Sequence, residues 1–553
     1  MLALGMGALL ISGSALAQAV RPPDAGLLKR EETPPMSTRL PADPVRMAPR
    51  SDDAKGGEPA AAERRVTLRS VRIEGLTVLD EQELLALLGP VDGQQFTLTT
   101  MRGLAAEVQQ RVQLAGRPFA RAYLPPQDLS GGELRIAVVE GRYGAVNVQA
   151  HELSPDSAAS AQSWLEPLKP GQPIGEELTR QIQLLSELPG IDVAATMAPG
   201  RGTGEGDLSV DITPRRRFGG DIRLDNHGSR YAGSQRLTAT VYGNGLATLG
   251  DRGVLSLGAN DGKGWQGAAA YSLPLGTSGV RAGLSGSRSH YELGKEFVSL
   301  GAEGRVDAVA LQLTAPLVVT AGQRVDFQTG VQRQQITNLQ RAVGASDQRQ
   351  VRSLSGALQA SSLLSTGGAV WGRLSAEVGQ VRLQAAQREL DSRSARTNGG
   401  YLLVAGDAAL LKPFGRWSVF LRGAGQTSDR NLDPSKKFVL GGADGVRAWP
   451  AAEAAGDDGV LGQAELRYRL GAAEPFAFVD AGGVRINHNR WDVSKNTRTI
   501  AGTGVGLRWT EGRWTMQGTV GWRTGALRDR PVSDPSAGNP QLWVSVNYTP
   551  GSF

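Results

Sequence analysis

From Phe218 to Phe553 the chain repeats one pattern: segments of about ten residues that alternate apolar and polar side chains, separated by turns. A period of two places one set of side chains on each face of a strand. In VDFQTGV, Val325, Phe327, Thr329 and Val331 share a face, and Asp326 and Gln328 take the other. In AELRYRL, Ala464, Leu466, Tyr468 and Leu470 oppose Glu465, Arg467 and Arg469. In RWTMQGTVGW, Trp514, Met516, Val520 and Trp522 oppose Thr515, Gln517 and Thr519. Connections alternate as well. LPLGTSG, KPFGR and TEGR are tight, whereas NLQRAVGASDQRQ and RTGALRDRPVSDPSAGNP are long and polar. A soluble all-β protein has no reason to keep charges on one face and long loops at every second connection. The pattern predicts a mainly β protein built on a transmembrane barrel of about sixteen strands. QLWVSVNYTPGSF reads as the closing strand.

After the first twenty residues, no apolar run reaches the ~20 residues of a spanning helix, so membrane crossing requires a closed barrel. The early run MLALGMGALLISGSALA ends in an A-x-A pattern at Ala15 and Ala17, which predicts a signal peptide over 1–17 and a mature start at Gln18. Cysteine is absent, which excludes thiol chemistry, disulfides and cysteine–metal sites. The 60 basic and 54 acidic residues are interspersed, so a net charge of +6 gives no basic patch for nucleic acid. His151, His227, His290 and His488 are scattered, with no metal-ligand or Ser/His/Asp spacing, and no phosphate-loop motif occurs. Neither metal nor cofactor is expected, and an enzyme is the least favoured class.

Between the leader and the barrel lie two units of another character. VTLRSVRIEGL reads as a strand, DEQELLALLG and TTMRGLAAEVQQRVQLAG as helices, and FARAYL and ELRIAVVEG as strands. The order β-α-α-β-β then recurs in YGAVNVQA, SAQSWLEPL, GEELTRQIQLLSELPG, IDVAATMAP and DLSVDITPR. This predicts two tandem α+β modules, over 65–142 and 143–215, ahead of a barrel over 216–553. Upstream, PPDAGLLKREE offers a short helix with Leu27 and Leu28 as an apolar patch, within 18–33. Residues 34–64 are too polar and proline-rich to order themselves and read as a linker.

The longest polar connection, roughly Ser428 to Asp457, contains FVLGGADGVRAWP. Gly441 and Gly442 allow a tight hairpin there, and Trp449 offers a wedge at its tip. In PFAFVDAGGV, Phe476, Phe478 and Asp480 share the lumen face, because a carboxylate facing lipid is unfavourable. An inward carboxylate wants a cation. Two sources are available from the pattern: Arg447, if its loop folds into the barrel, or the neighbouring strand, through Arg467 or Arg469.

Several stretches together resemble the TpsB transporters of two-partner secretion (FhaC/ShlB-like), relatives of the BamA-like barrel insertases. LGGADGVRAWP looks like the family's sixth-loop motif, usually written VRGY, here Val446, Arg447, Ala448 and Trp449. FVDAG looks like its wall motif F-x-D-x-G, here Phe478, Asp480 and Gly482. AGRPFARAYLPPQDLSGGELRIAVVEGR and LLSELPGIDVAATMAPG resemble its two POTRA modules, and LDNHGSRYAG its first barrel hairpin. Ala448 and Trp449 depart from the usual Gly and Tyr, and an alanine makes a positive φ costly at the loop tip.

The resemblance implies that the sixth loop enters the pore and that Arg447 contacts Asp480. It also implies that the 18–33 helix plugs the barrel. The implied function is outer-membrane export of an unfolded TpsA-type exoprotein, adhesin- or haemolysin-like, captured through its N-terminal secretion domain at unassigned POTRA residues. Outer-membrane lipid and the barrel assembly machinery are the further partners expected. Two rivals stand beside it: an assembly factor that inserts other barrels, and a passive porin. Two modules and a plug-like leader favour export.

Overall fold

The computed structural model describes residues 22–31, 45–47, 65–526 and 531–551; the expected signal peptide lies outside them. Sixteen antiparallel strands, numbered β1 to β16, form a closed barrel. They are β1 Phe218–Asp225, β2 Arg236–Asn244, β3 Arg252–Asn260, β4 Trp265–Pro274, β5 Arg281–Glu292 and β6 Ala302–Val319. There follow β7 Gln323–Gln340, β8 Ala345–Leu363, β9 Ala369–Leu383, β10 Gly399–Phe414 and β11 Trp417–Ser428. The last are β12 Asp458–Tyr468, β13 Ala473–Arg485, β14 Thr497–Glu511, β15 Trp514–Thr524 and β16 Gln541–Tyr548. Pairing of Ile222 with Tyr548 and of Asp225 with Ser545 closes β1 onto β16. The count agrees with the sequence pattern.

Closure joins the first strand to the last, as a lipid-exposed sheet requires. Leu284, Leu311, Val331, Leu354 and Val479 stand exposed on the outer face, while Ile336, Phe476 and Phe478 are buried inside. Near the short turns, Trp417 meets Tyr468 at 4.8 Å between ring centroids and Trp514 meets Tyr548 at 4.6 Å, forming part of an aromatic girdle. No helix among the described residues is long and apolar enough to cross a membrane.

In the first module, strands Ser70–Glu74, Glu133–Val139 and Arg121–Tyr123 form a sheet backed by helices Glu81–Leu88 and Leu98–Leu114. Asp80 caps the first helix by accepting from the Gln82 and Glu83 amides, and Thr97 with Thr100 forms a capping box for the second. VTLRSVRIEGL is not one strand, as its pattern suggested. It breaks after Val66–Thr67, where Leu68 turns fully into the core and the Arg69 amide donates to the Gly132 carbonyl at 2.7 Å. In the second module, the expected helix SAQSWLEPL instead runs Pro155–Ser163. Ser154 caps it and Pro155 supplies a preset φ at its first turn, while Trp164, Leu165 and Leu168 fold into the core beyond it.

One correction concerns the linker. Val45–Met47 lies as a parallel strand beside Ile191–Pro199, with Val45 paired to Ala195. A sheet edge offers backbone donors and acceptors to any extended segment, so a polar linker needs no core of its own to bind there. The second module then meets the barrel rim: Glu187 accepts from Arg324 at 2.6 Å, and Leu188 shares a core cluster with Leu249 and Val319.

Candidate functional site: the sixth loop and the pore

Between β11 and β12 the chain turns into the lumen. Phe438–Val439 pairs with Ala455–Gly456, making an inward hairpin. Its end is tight: Gly442 has φ +113°, open only to glycine, and the Val446 amide donates to the Leu440 carbonyl at 2.6 Å. An added Cβ on Gly441 would sit 2.3 Å from the Pro450 oxygen. These constraints hold Arg447 against β13.

Asp480, fully buried, accepts from Arg447 three times: from its amide at 3.1 Å, from Nε at 2.8 Å and from Nη2 at 2.6 Å. The remaining fork nitrogen, Nη1, donates to Glu465 on β12. Glu465 also takes Arg467 at 2.7 Å and Arg508 at 3.1 Å. The wall cation Arg467 is therefore Glu465's partner and not Asp480's. The Arg447 Cζ lies 3.8 Å over the Phe478 ring, a cation–π contact that closes the fourth side. Arginine alone among the side chains grips two carboxylates while stacking on a ring.

The surrounding wall is cut to fit. On β14, a Cβ at Gly502, Gly504 or Gly506 would lie 2.3 Å from Ala448 Cβ, Phe478 Cζ or Phe476 Cζ respectively. A Cβ at Gly482 would meet Leu440 at 2.4 Å. Ala448 is absent from the positive-φ positions, so its departure from glycine costs no backbone strain. Trp449 is fully buried, and it lies against β14 instead of wedging a free tip: Nε1 donates to the Ala501 carbonyl at 2.9 Å, with Arg498 and Arg523 within 6 Å of its ring. Trp543 on β16 donates from Nε1 to the Arg447 carbonyl at 2.7 Å.

A helix, Ala25–Glu31, occupies the lumen nearer the long loops. Ala25 and Leu28 join a buried cluster with Ile336, Val351, Val381 and Leu432, whereas Leu27 is half-buried and outside it. Asp24 ahead of the helix accepts from the Gly26 amide at 2.8 Å and from Asn338 Nδ2 at 2.8 Å. Arg349 on β8 bridges Asp24 to Asp433 of the sixth loop, each at 2.5 Å. A Cβ added to Gly26 would be 2.6 Å from the Ser435 Cβ, so helix and loop are in close contact.

Of the sequence-selected residues, Val446, Arg447, Ala448, Trp449, Phe478, Asp480 and Gly482 come together, with Gly441 and Gly442 shaping the turn behind them. Glu465, Trp543, the β14 glycines, Asp24 and Arg349 were not selected. His290 lies beside Glu292 and Glu303, with ligand atoms within 4.8 Å, which scattered sequence positions concealed. Both carboxylates already have cations, Lys263 and Arg341 respectively.

A sixteen-strand barrel with two periplasmic α+β modules, an inward sixth loop and a luminal helix defines a polypeptide-translocating barrel of the outer membrane. The family model for haemolysin secretion/activation proteins ShlB/FhaC/HecB matches residues 204–509, and that for the ShlB-type POTRA domain matches 66–141. The chain belongs to this TpsB family. It is similar to the heme/hemopexin transporter protein HuxB of Haemophilus influenzae strain 86-028NP, 25% identical over 482 residues covering 84% of each chain. The outer membrane transporter CdiB of Dickeya dadantii is 25% identical over 512 residues, covering 88% of this chain and 86% of its own. The structure of CdiB from Escherichia coli shares the fold with a TM-score of 0.71 and 19% identity, covering 95% of this chain and 96% of its own. The protein is thus an outer-membrane transporter that secretes a TpsA-type exoprotein by two-partner secretion, with its POTRA modules in the periplasm.

Proposed function

We propose that the pore is held shut by two luminal contacts, and that export begins when the exoprotein breaks them. The observation that carries this reading is the Arg349 bridge, which ties the 22–31 segment to the sixth loop through Asp24 and Asp433. Arg447 holds the same loop to the wall. Desolvation offsets much of the attraction in such pairs, so their main contribution is to fix one arrangement. Displacing the helix opens a path; moving the loop widens it.

The client enters unfolded, through its N-terminal secretion domain. A free sheet edge supports capture by strand addition, and the first module offers Arg121–Tyr123. In the second module the Ile191–Pro199 edge already carries the linker, so a client strand reaching it must displace Val45–Met47. No catalytic step is needed. Folding of the client outside supplies the drive, since periplasmic ATP is lacking. The barrel assembly machinery inserts the chain, and lipid contacts its apolar wall.

Co-expression with the gene next to this one tests this reading. Secretion into the medium that depends on this chain supports it. Retention of the exoprotein, with defects in other outer-membrane proteins, would favour the assembly-factor alternative.

A further inference from the structure

The outer wall of β7 to β9 carries a group of cations that export does not use. Arg333 on β7 stands directly opposite Arg352 on β8, and Arg352 stands opposite Gln380 on β9. One step toward the long-loop end, Gln350 stands opposite Arg382. All three arginines are exposed on the face that also presents Val331, Leu354 and Val378. Among the described residues none of the three has an ion-pair partner; the nearby Asp307 is taken by Arg288 and Arg305.

Like charges directly across a strand pair repel, and more so at the edge of a low-dielectric layer. Yet the sequence puts them there and orients them. Arg352 Nε donates to Gln350 at 2.8 Å, and Arg382 Nε donates to Gln380 at 3.1 Å. Because β8 descends and β9 ascends, the first fork leans toward the long loops and the second away from them, so the two lie along facing edges of one four-residue square. Gln350 is itself braced by Gln335 at 3.5 Å. Immediately below lies an open apolar groove lined by Leu284, Val309, Leu311, Val331, Leu354 and Val378.

Height in the membrane fixes the leaflet. Strand β7 rises from the short turn at 320–322, and Val325–Arg333 corresponds to the ~9–11 residues that cross a bilayer. The arginines therefore sit at the headgroup level of the outer leaflet, with the groove at acyl-chain depth. Arginine forks match phosphate oxygens in pairs. Further round the barrel, on β13, the rim cation Arg485 is already neutralised by Asp458 at 2.8 Å.

We propose that Arg333, Arg352 and Arg382, with the groove beneath them, form a binding site for a phosphorylated, multiply acylated glycolipid of the outer leaflet. One phosphate neutralises the opposed arginines, and acyl chains fill the groove. The site anchors the tall side of the barrel in a fixed orientation to the leaflet.

The test is native mass spectrometry of the full chain in detergent, titrated with lipid A, dephosphorylated lipid A or phosphatidylglycerol. The site predicts one retained lipid A, bound at least about tenfold more tightly than either other lipid. The triple variant Arg333→Gln/Arg352→Gln/Arg382→Gln loses that preference, while Arg485→Gln keeps it. Heat-modifiable mobility confirms that each barrel is folded. Equal retention by the triple variant would overturn the proposal. So would equal competition by phosphatidylglycerol, which would mark the arginines as a general anionic-lipid belt.

Discussion

Arg447 and Asp480, 33 residues apart in sequence, are joined by three hydrogen bonds, two to Oδ2 and one to Oδ1. With Glu465 on the remaining fork nitrogen, the loop is fastened to two adjacent strands at once. A neutral or shorter side chain cannot reproduce that geometry.

Arg447→Ala leaves Asp480 and Glu465 buried with the loop-borne cation gone, a loss on the order of 3–5 kcal/mol within the lumen. Secretion falls to near background while heat-modifiable barrel remains in the membrane. Arg447→Lys rescues poorly, because an ammonium cannot hold both carboxylates and stack on Phe478. Immunoblots of medium and outer membrane read both outcomes.

Gly504 is predicted to be sensitive as well, to a smaller degree than the arginine. Alanine there places Cβ 2.3 Å from Phe478 Cζ and 2.2 Å from the Val520 carbonyl oxygen, and the backbone oxygen cannot retreat. The overpacking costs about 1–3 kcal/mol and tilts the ring away from Arg447. Secretion drops, and proteolysis from outside cuts the 429–457 loop faster than in the parent.

The bridge through Arg349 predicts a channel phenotype. Arg349→Gln removes the link between Asp24 and Asp433 and leaves both carboxylates uncompensated near the helix. Planar-bilayer recordings should show more frequent large openings. Deleting 19–32 should raise conductance further, and the two changes together should add nothing beyond the deletion.

The first module carries a pH dependence of its own. Burial would raise the Glu140 pKa, but donors from Thr77, Arg117 and Val78 outweigh it and hold the carboxyl below its ordinary value of 4.5. A depressed folded-state pKa means full stabilisation above that value and progressive loss as pH falls below it. Amide protection factors over residues 66–141 of the full chain, taken against the intrinsic exchange rate at each pH, should therefore fall as pH drops below 4.5, and Glu140→Gln should flatten the change.

Much of this was legible in the sequence, for a physical reason: a barrel wall imposes a strict two-residue period that survives without knowledge of partners. The inward set Phe476, Phe478 and Asp480 could be assigned because a lipid-facing carboxylate is costly. Glu465 could be placed in the lumen by the same alternation, but its service to Arg447 depends on β12–β13 register, where it stands opposite Phe478. Gly502, Gly504 and Gly506 read only as strand glycines, since the side chains that need their space come from another strand and a loop. Asp24 and Arg349 are 325 residues apart, and no local pattern links them. The linker strand was missed because edge pairing uses backbone groups and leaves composition free. The helix at Pro155 began earlier than its apolar residues suggested because Ser154 and Pro155 set its start.

On the proposed mechanism, the luminal helix leaves its place against the sixth loop before the client passes. The native chain has no cysteine, so a single engineered pair reports on it cleanly. Gly26→Cys with Ser435→Cys joins helix to loop; the Cβ positions start 2.6 Å apart and need only open toward the ~3.8 Å of a disulfide. Secretion is measured with the pair oxidised and again after reductant. The expected result is a block on oxidation that reductant reverses, with each single cysteine secreting normally. Undiminished secretion through a fully cross-linked barrel would contradict it.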